Sequence, residues 1–359
     1  MIHWSAVSLV IFFAAAAACG ISLGCFKADF TQGKAETQRP VVGAIRWDGW
    51  SEGNEWERNL SPKQWHYRLP FYSRFVSEEK VEVRGDTQEV MDREIAYASR
   101  AGLDYWAFCY SYPGASRTDK HLYGLTLYLS SRRRSEINFC LILMGAGYSG
   151  PREEWPSAVE AFIRLFKEPT YQKVLGGRPL LYIYYVEQLP RYFGSKKAVR
   201  NAVDYLRQES VKAGLKPPYL VAQVWSAQSG AKCVDKYGFD AVSAYAMIHP
   251  GGGNQEYPYS VLTSAAEAYW NACKATGKQV IPIVMTGWDN RPRRANEKRF
   301  VELYQQPPQG PVYAAPTPTE LANHLRAALQ WNRENPKSAE ANAVIIYAWN
   351  ESDEGGWLV

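Results

Sequence analysis

From residue 41 onward the chain alternates short, nearly continuous apolar runs with longer stretches whose apolar residues recur every three or four positions. The runs occupy 41–47, 104–109, 139–143, 179–184, 219–224, 240–244, 280–285 and 344–349. Continuous rather than alternating hydrophobicity marks strands covered on both faces, as in a parallel sheet layered with helices. Between the runs, 87–101 carries Val90, Met91, Ile95 and Ala98 on one stripe, and 157–166 carries Val159, Phe162, Ile163 and Phe166. Segments 196–213, 264–276 and 319–332 repeat that helical theme. Gly102, Gly214 and Gly277 fall where a helix must stop before the next run. Strand, loop and helix recurring in this order predict an α/β fold of the (β/α)8 TIM barrel type; a doubly wound open sheet is the alternative. No helical pattern follows the eighth run, so the barrel reads as truncated after strand eight.

Composition narrows the function classes. With 46% hydrophobic residues the chain can fill a large core, and its 13 Trp and 24 Tyr suit either a wet, gripping groove or aromatic packing of a large barrel. A net charge of +5 over 359 residues leaves no nucleic-acid footprint. No glycine-rich loop stands between a strand and a helix, so no nucleotide cofactor is expected. His66, His121 and His249 lack ligand spacing and the cysteines form no Cys-x-x-Cys, so no metal is expected either. Cys109 and Cys140 fall inside runs two and three and read as small buried apolar residues.

The N-terminus has a separate character. From Ala6 to Cys25 there is no charge, and five alanines precede Cys19. Residues 1–25 therefore read as an export or lipoprotein signal, 26–40 as a tether, and 41–359 as the barrel domain. Leu23-Gly24-Cys25 makes Cys25 a candidate lipidation site, with a soluble exported form and a retained membrane anchor as the alternatives. The expected location is outside the cytoplasm: periplasmic, cell-surface, outer-membrane lipoprotein or secreted. Any membrane contact is expected only through that N-terminal lipid or anchor.

Barrel enzymes build their sites beyond the C-terminal ends of the strands. Those positions here hold Trp47, Asp48 and Trp50 after strand one, Tyr110 and Tyr112 after strand two, and Trp225 after strand five. They hold Tyr245 and His249 after strand six, Trp288, Asp289 and Arg291 after strand seven, and Asn350, Glu351 and Glu354 after strand eight. Aromatic faces among amide, acid and guanidinium groups suit a carbohydrate, whose rings stack and whose hydroxyls need polar partners. Paired carboxylates are the usual machinery for cleaving a glycosidic bond, and Glu351 and Glu354 are the candidate catalytic pair. The alternatives are that Glu351 orients an arginine, that Glu354 is a surface acid before Gly355-Gly356, and that Asp289 braces its loop by an ion pair. Asp353 reads as a loop-solvating acid or a backbone cap. Two long insertions, 49–86 and 305–318, belong to the same face.

Several of these segments resemble the glycoside hydrolase family 99-like barrels, a group with WbsX-like proteins and, more distantly, endo-α-mannosidases. The resemblance rests on Ile45-Arg46-Trp47-Asp48-Gly49-Trp50, on 101–108, on 177–182, on 287–293 and on the terminal Trp349-Asn350-Glu351 with Glu354-Gly355. It implies an exported glycoside hydrolase acting on a polysaccharide or glycan, with a retaining outcome. By that resemblance Glu351 draws the proton from a sugar 2-hydroxyl, while Glu354 protonates the leaving oxygen and then activates water. Glu354 would then need the higher pKa of the two. The chain departs from the family pattern at Ser352, where an aromatic residue usually follows the first glutamate. A non-catalytic carbohydrate-binding barrel and a protein of surface-polysaccharide biosynthesis are the competing expectations.

Overall fold

The computed structural model describes residues 39–51, 54, 56–111, 123–144, 152–248, 255–294 and 310–359. Tyr112, His121, His249, Cys25 and the signal and tether up to residue 38 lie outside these. The barrel strands are β1 (Val41–Arg46), β2 (Tyr105–Tyr110), β3 (Asn138–Met144), β4 (Arg178–Tyr184), β5 (Tyr219–Gln223) and β6 (Ala241–Ser243). The seventh, β7, is split into Gln279–Val280 and Ile283–Met285, and β8 is Ala343–Tyr347. Each strand pairs in parallel with the next from β1 to β6.

Closure depends on the split strand. The first half of β7 pairs with β6, the second half pairs with β8, and β8 returns to β1. Pro282 sits at the break, and its carbonyl accepts from Ile345 N–H at 3.0 Å. Proline has no N–H for a ladder on both sides, so the strand changes partner there. The ring of eight strands is thus complete without any eighth helix among the described residues.

Helices α1 (Gln88–Arg100), α2 (Tyr123–Ser130), α3 (Trp155–Phe166), α4 (Lys196–Lys212), α5 (Ala227–Tyr237), α6 (Tyr259–Ala275) and α7 (Pro318–Glu334) follow β1 to β7 in turn. Thr87, Ser195, Ser226 and Thr317 cap α1, α4, α5 and α7 by accepting from backbone N–H groups of the first turn. Among the described residues no helix is long and apolar enough to cross a membrane.

Strand β2 shows how the two faces divide. Trp106 and Phe108 point outward into the helix layer, where both rings pack against Tyr128 of α2. Tyr105 points inward across Gly43, which has no side chain to obstruct its ring. Its hydroxyl meets that of Tyr182 at 2.8 Å and donates to the Val344 carbonyl at 3.2 Å, so even the barrel floor is hydrogen-bonded. Between β1 and α1, the insertion folds around a separate apolar cluster of Trp50, Leu60, Val81 and Val83. Among the described residues, a buried histidine lies in the helix layer without a hydrogen bond. His324 of α7 stacks on Trp270 of α6, neither ring nitrogen has a hydrogen-bond partner, and burial lowers its pKa to about 4.

Candidate active site

The inner face of the barrel ends in tyrosines. Tyr245 follows β6, Tyr184 ends β4 and Tyr347 ends β8. Tyr184 stacks on Tyr245 with centroids 4.6 Å apart, and Tyr245 meets Tyr347 at 5.8 Å. Trp288 closes one side, 5.7 Å from Tyr347. Period-two geometry explains the set: a strand that buries one aromatic inward presents the next inward group two residues later.

Above this cradle the chain turns back on itself. Asn350–Glu351 pairs antiparallel with Gly356–Trp357, and Ser352–Glu354 forms a single 3-10 turn between them. Gly355 takes φ +83°, and a side chain there would come within 2.5 Å of the Asp289 backbone nitrogen. Only glycine allows both the left-handed backbone and the close approach, which lets Asp289 N–H donate to the Glu354 carbonyl at 2.6 Å. The loops after β7 and β8 are thereby fastened together.

That turn places both glutamates over the tyrosines. Glu351 is buried and accepts from the Tyr245 hydroxyl. The Tyr347 hydroxyl lies 3.3 Å from Glu351 Oε2 and 2.6 Å from Glu354 Oε2. The two carboxyl groups thus share one hydroxyl neighbour. Arg293 completes the cluster: Nη1 donates to Glu354 Oε1, and Nε donates to Asp353 Oδ2 at 2.7 Å.

The electrostatics follow from those contacts. Burial and the neighbouring Glu354 charge push the Glu351 carboxyl well above the usual carboxylate range. Burial acts on Glu354 in the same direction, but the Arg293 charge, with hydrogen bonds from Glu351, Tyr347 and Arg293, outweighs it and lowers the pKa. The two carboxyls are thereby moved apart, Glu351 upward by burial and Glu354 downward by Arg293. This reverses the expected order, in which Glu354 was to hold the proton; no sequence pattern tied Arg293 to Glu354 rather than to Asp289.

The structure sorts the remaining candidates. Trp50 is completely covered, and its indole N–H donates to the Asn350 carbonyl at 2.7 Å, so it anchors the insertion instead of offering a face to a sugar. Asn350 is committed as well: its side chain accepts from Trp47 N–H at 2.9 Å and donates to Trp47 O at 2.6 Å. Asp48 is buried against Arg46, with Gly124 of α2 directly over its carboxylate, which leaves no room there for a ligand. Tyr110 packs outward on Phe162 of α3 at 5.8 Å. Asp289 braces its loop, accepting from Arg291 and Arg68. Trp47 keeps one partly open face and meets Trp56 at 5.2 Å, while Trp225 is 45% exposed.

Tyr347, Arg293 and Cys109 were missed as site residues. Tyr347 lies inside an apolar run, where a tyrosine reads as core. Cys109 is only partly buried, and its sulfur lies 3.3 Å from the Tyr245 hydroxyl, beneath the pair. Among the described residues no group of three or more His, Cys, Asp or Glu side chains is arranged to hold a metal ion.

Residues 131–358 match the family model described as Glycosyltransferase WbsX. Solved structures of a GH99 endo-alpha-mannosidase from Bacteroides thetaiotaomicron share the fold. One superposes with TM-score 0.53 at 11% identity, covering 88% of this chain and 86% of the other. A second, in complex with bis-tris-propane, gives 0.52 at 12% identity, covering 88% and 85%. No curated protein matches the chain.

Proposed function

The chain belongs to the WbsX glycosyltransferase family, and on that premise we propose that it cleaves glycosidic bonds of a polysaccharide or glycan with Glu351 and Glu354. The observation that carries this reading is one tyrosine hydroxyl, that of Tyr347, lying between the buried Glu351 carboxyl and the partly exposed Glu354 carboxyl at a barrel mouth. Two carboxyl groups with one proton supply an acid for the departing oxygen and a base for a sugar hydroxyl or water. In the free site Glu351 is the acid and Glu354 the base. Both carboxyls reach one hydroxyl, that of Tyr347, at 3.3 and 2.6 Å, which sets them closer than the roughly 6.5–9.5 Å at which an inverting pair holds its water. That closeness supports a retaining course.

The pH dependence follows with its sign. Activity needs Glu351 protonated, so it falls as pH rises through that group's raised pKa. It needs Glu354 ionised, so it also falls as pH drops through that group's lowered pKa. A panel of polysaccharides and glycans, assayed for released reducing ends and for binding, tests the proposal. Release by the wild type and none by Glu351→Gln or Glu354→Gln supports it. Binding without release, unchanged in both variants, identifies a carbohydrate-binding barrel instead.

The family's description favours a second reading, transfer to an acceptor hydroxyl in place of water. Turnover that requires an added nucleotide-sugar donor would establish that reading over hydrolysis. Export enters the proposal through the charge-free residues 6–25. Mass spectrometry of the mature N-terminus tests it: diacylglycerol on Cys25 marks a lipoprotein, and an unprocessed Met1 counts against a cleaved signal.

A further inference from the structure

We infer that Arg293, held by Asp353, is the positioning residue that decides which of the two glutamates carries the proton. The inference rests on the paired-glutamate reading and adds the group that sets its polarity. Arg293 stands on the short helical turn Arg291–Arg294 after β7, while both glutamates belong to the loop after β8. Its guanidinium is fixed on several sides. Nε and Nη2 reach Asp353 at 2.7 and 3.3 Å, Nη1 reaches Glu354, and the Trp56 ring lies 4.9 Å from the guanidinium carbon. Asp353, itself completely buried, accepts from Asn59 Nδ2 at 2.9 Å and so cannot swing away with its partner.

The other groups facing the pair do not distinguish its two members in this way. Tyr347 touches both carboxyls, Tyr245 touches Glu351, and Tyr184 and Cys109 are neutral neighbours of Tyr245. Asp289, behind Glu354, is matched by Arg68 and Arg291. Glu354 thus receives a contact cation, whereas Glu351 receives hydroxyl groups and the negative charge of Glu354. Attraction to a contact cation favours the ionised form, and a like charge beside a buried carboxyl favours the protonated one. The neighbouring carboxylates make this a four-member chain, Asn59–Asp353–Arg293–Glu354, that aims one positive charge at one oxygen.

The experiment is a carboxyl titration by NMR on protein labelled with carbon-13 at glutamate Cδ, with Glu351→Gln and Glu354→Gln to assign the two midpoints. In the wild type the lower midpoint belongs to Glu354. Arg293→Met is expected to raise it by roughly one pH unit or more, and Arg293→Lys to keep the order. Because Arg293→Met strands two buried carboxylates and can unfold the protein, the double variant Arg293→Gln with Asp353→Asn removes cation and anion together. It too is expected to raise the Glu354 midpoint, although it deletes a neighbouring negative charge. A Glu354 midpoint unmoved in the double variant overturns the inference. The titration needs no substrate, so it stands apart from the glycan panel: glutamate variants that keep full cleavage sink the catalytic reading and leave the Arg293 result intact.

Discussion

Two buried arginines, Arg46 and Arg293, each hold two carboxylates beside a tryptophan, and only one of the two clusters is placed to do chemistry. Arg46, at the end of β1, contacts Asp48 at 2.9 Å and Glu94 at 2.7 Å and lies 4.7 Å from the Trp106 ring centre. Arg293 contacts Asp353 at 2.7 Å and also Glu354, and lies 4.9 Å from the Trp56 ring centre. In the first cluster the fold uses every member. Trp349 Nε1 donates to Glu94 at 3.0 Å, α2 covers Asp48, and no side chain of the three is more than 1% exposed. In the second, a third carboxyl, Glu351, joins without a cation of its own, and Glu354 remains 16% exposed. Buried ion pairs are ordinary devices for joining β1 to α1; an extra carboxyl and an opening turn the same parts into a candidate acid and base.

The largest expected effect separates the clusters by activity. Glu351→Gln or Glu354→Gln should lower kcat by about 10²–10⁴-fold on a substrate found in the glycan panel. A leaving group more acidic than a sugar alcohol should rescue Glu351→Gln more than Glu354→Gln, because in this assignment Glu351 supplies the proton. Rescue in the opposite order would restore the roles implied by the resemblance.

Glu94→Gln should separate them by stability. It leaves Arg46 facing Asp48 alone inside the wall, at a cost of about 3–5 kcal/mol, measured by denaturant unfolding. The fraction that folds should keep its kcat, since Glu94 touches nothing in the mouth. A loss of kcat without loss of stability would erase the distinction between the clusters.

Tyr347→Phe tests the bridge within the active cluster. Removing a hydroxyl that donates to a charged carboxylate costs about 1.5–3 kcal/mol, or roughly 10–100-fold in kcat if that contact persists in the transition state. Stability should change less than in Glu94→Gln.

The smallest effect is a pH signature of the closed cluster. Burial, aided by Glu94 and opposed by Arg46, raises the Asp48 pKa to about 6. A raised carboxyl pKa contributes stability that is present at low pH and lost as pH rises through about 6. His324 works in the opposite direction: the unfolded chain takes up its proton near pH 6.5 and the folded protein only near pH 4, so stability falls across that window on acidification. In a His324→Phe background Asp48 should therefore contribute about 1 kcal/mol of the stability gained between pH 7 and pH 5, beside the same-signed contribution of Glu351, and Asp48→Asn should reduce the gain by that amount. Thermal or denaturant unfolding at the two pH values measures it.

Much of the architecture was legible because both faces of each strand are buried, which makes each strand a continuous apolar run. The eight runs correspond to the eight observed strands, and Gly102, Gly214 and Gly277 adopt positive φ where helices end. Two helices carried weaker signals. Tyr123–Ser130 is apolar nearly all round, and Ala227–Tyr237 is built from small and polar residues with Gly230 at its close approach to Val242. The split of β7 at Pro282 was likewise hidden within a run that reads as one strand.

The sequence by itself determined the barrel order, the address of Glu351 and Glu354 after strand eight, and the aromatic character of that end, because strand burial and glycine backbone freedom are local properties. Only the tertiary structure decided which polar residues face the mouth. Trp50, Asp48 and Asn350 sit beside the same strand ends as the glutamates, yet are consumed by packing between β1, α1 and the insertion. Arg293 is 58 residues from Glu351 in the chain, and its contact with Glu354 and Asp353 exists only because two loops are fastened at Gly355. The order of the two protonations depends on that contact, since a charge at hydrogen-bond distance governs a buried carboxyl whatever the distance along the chain.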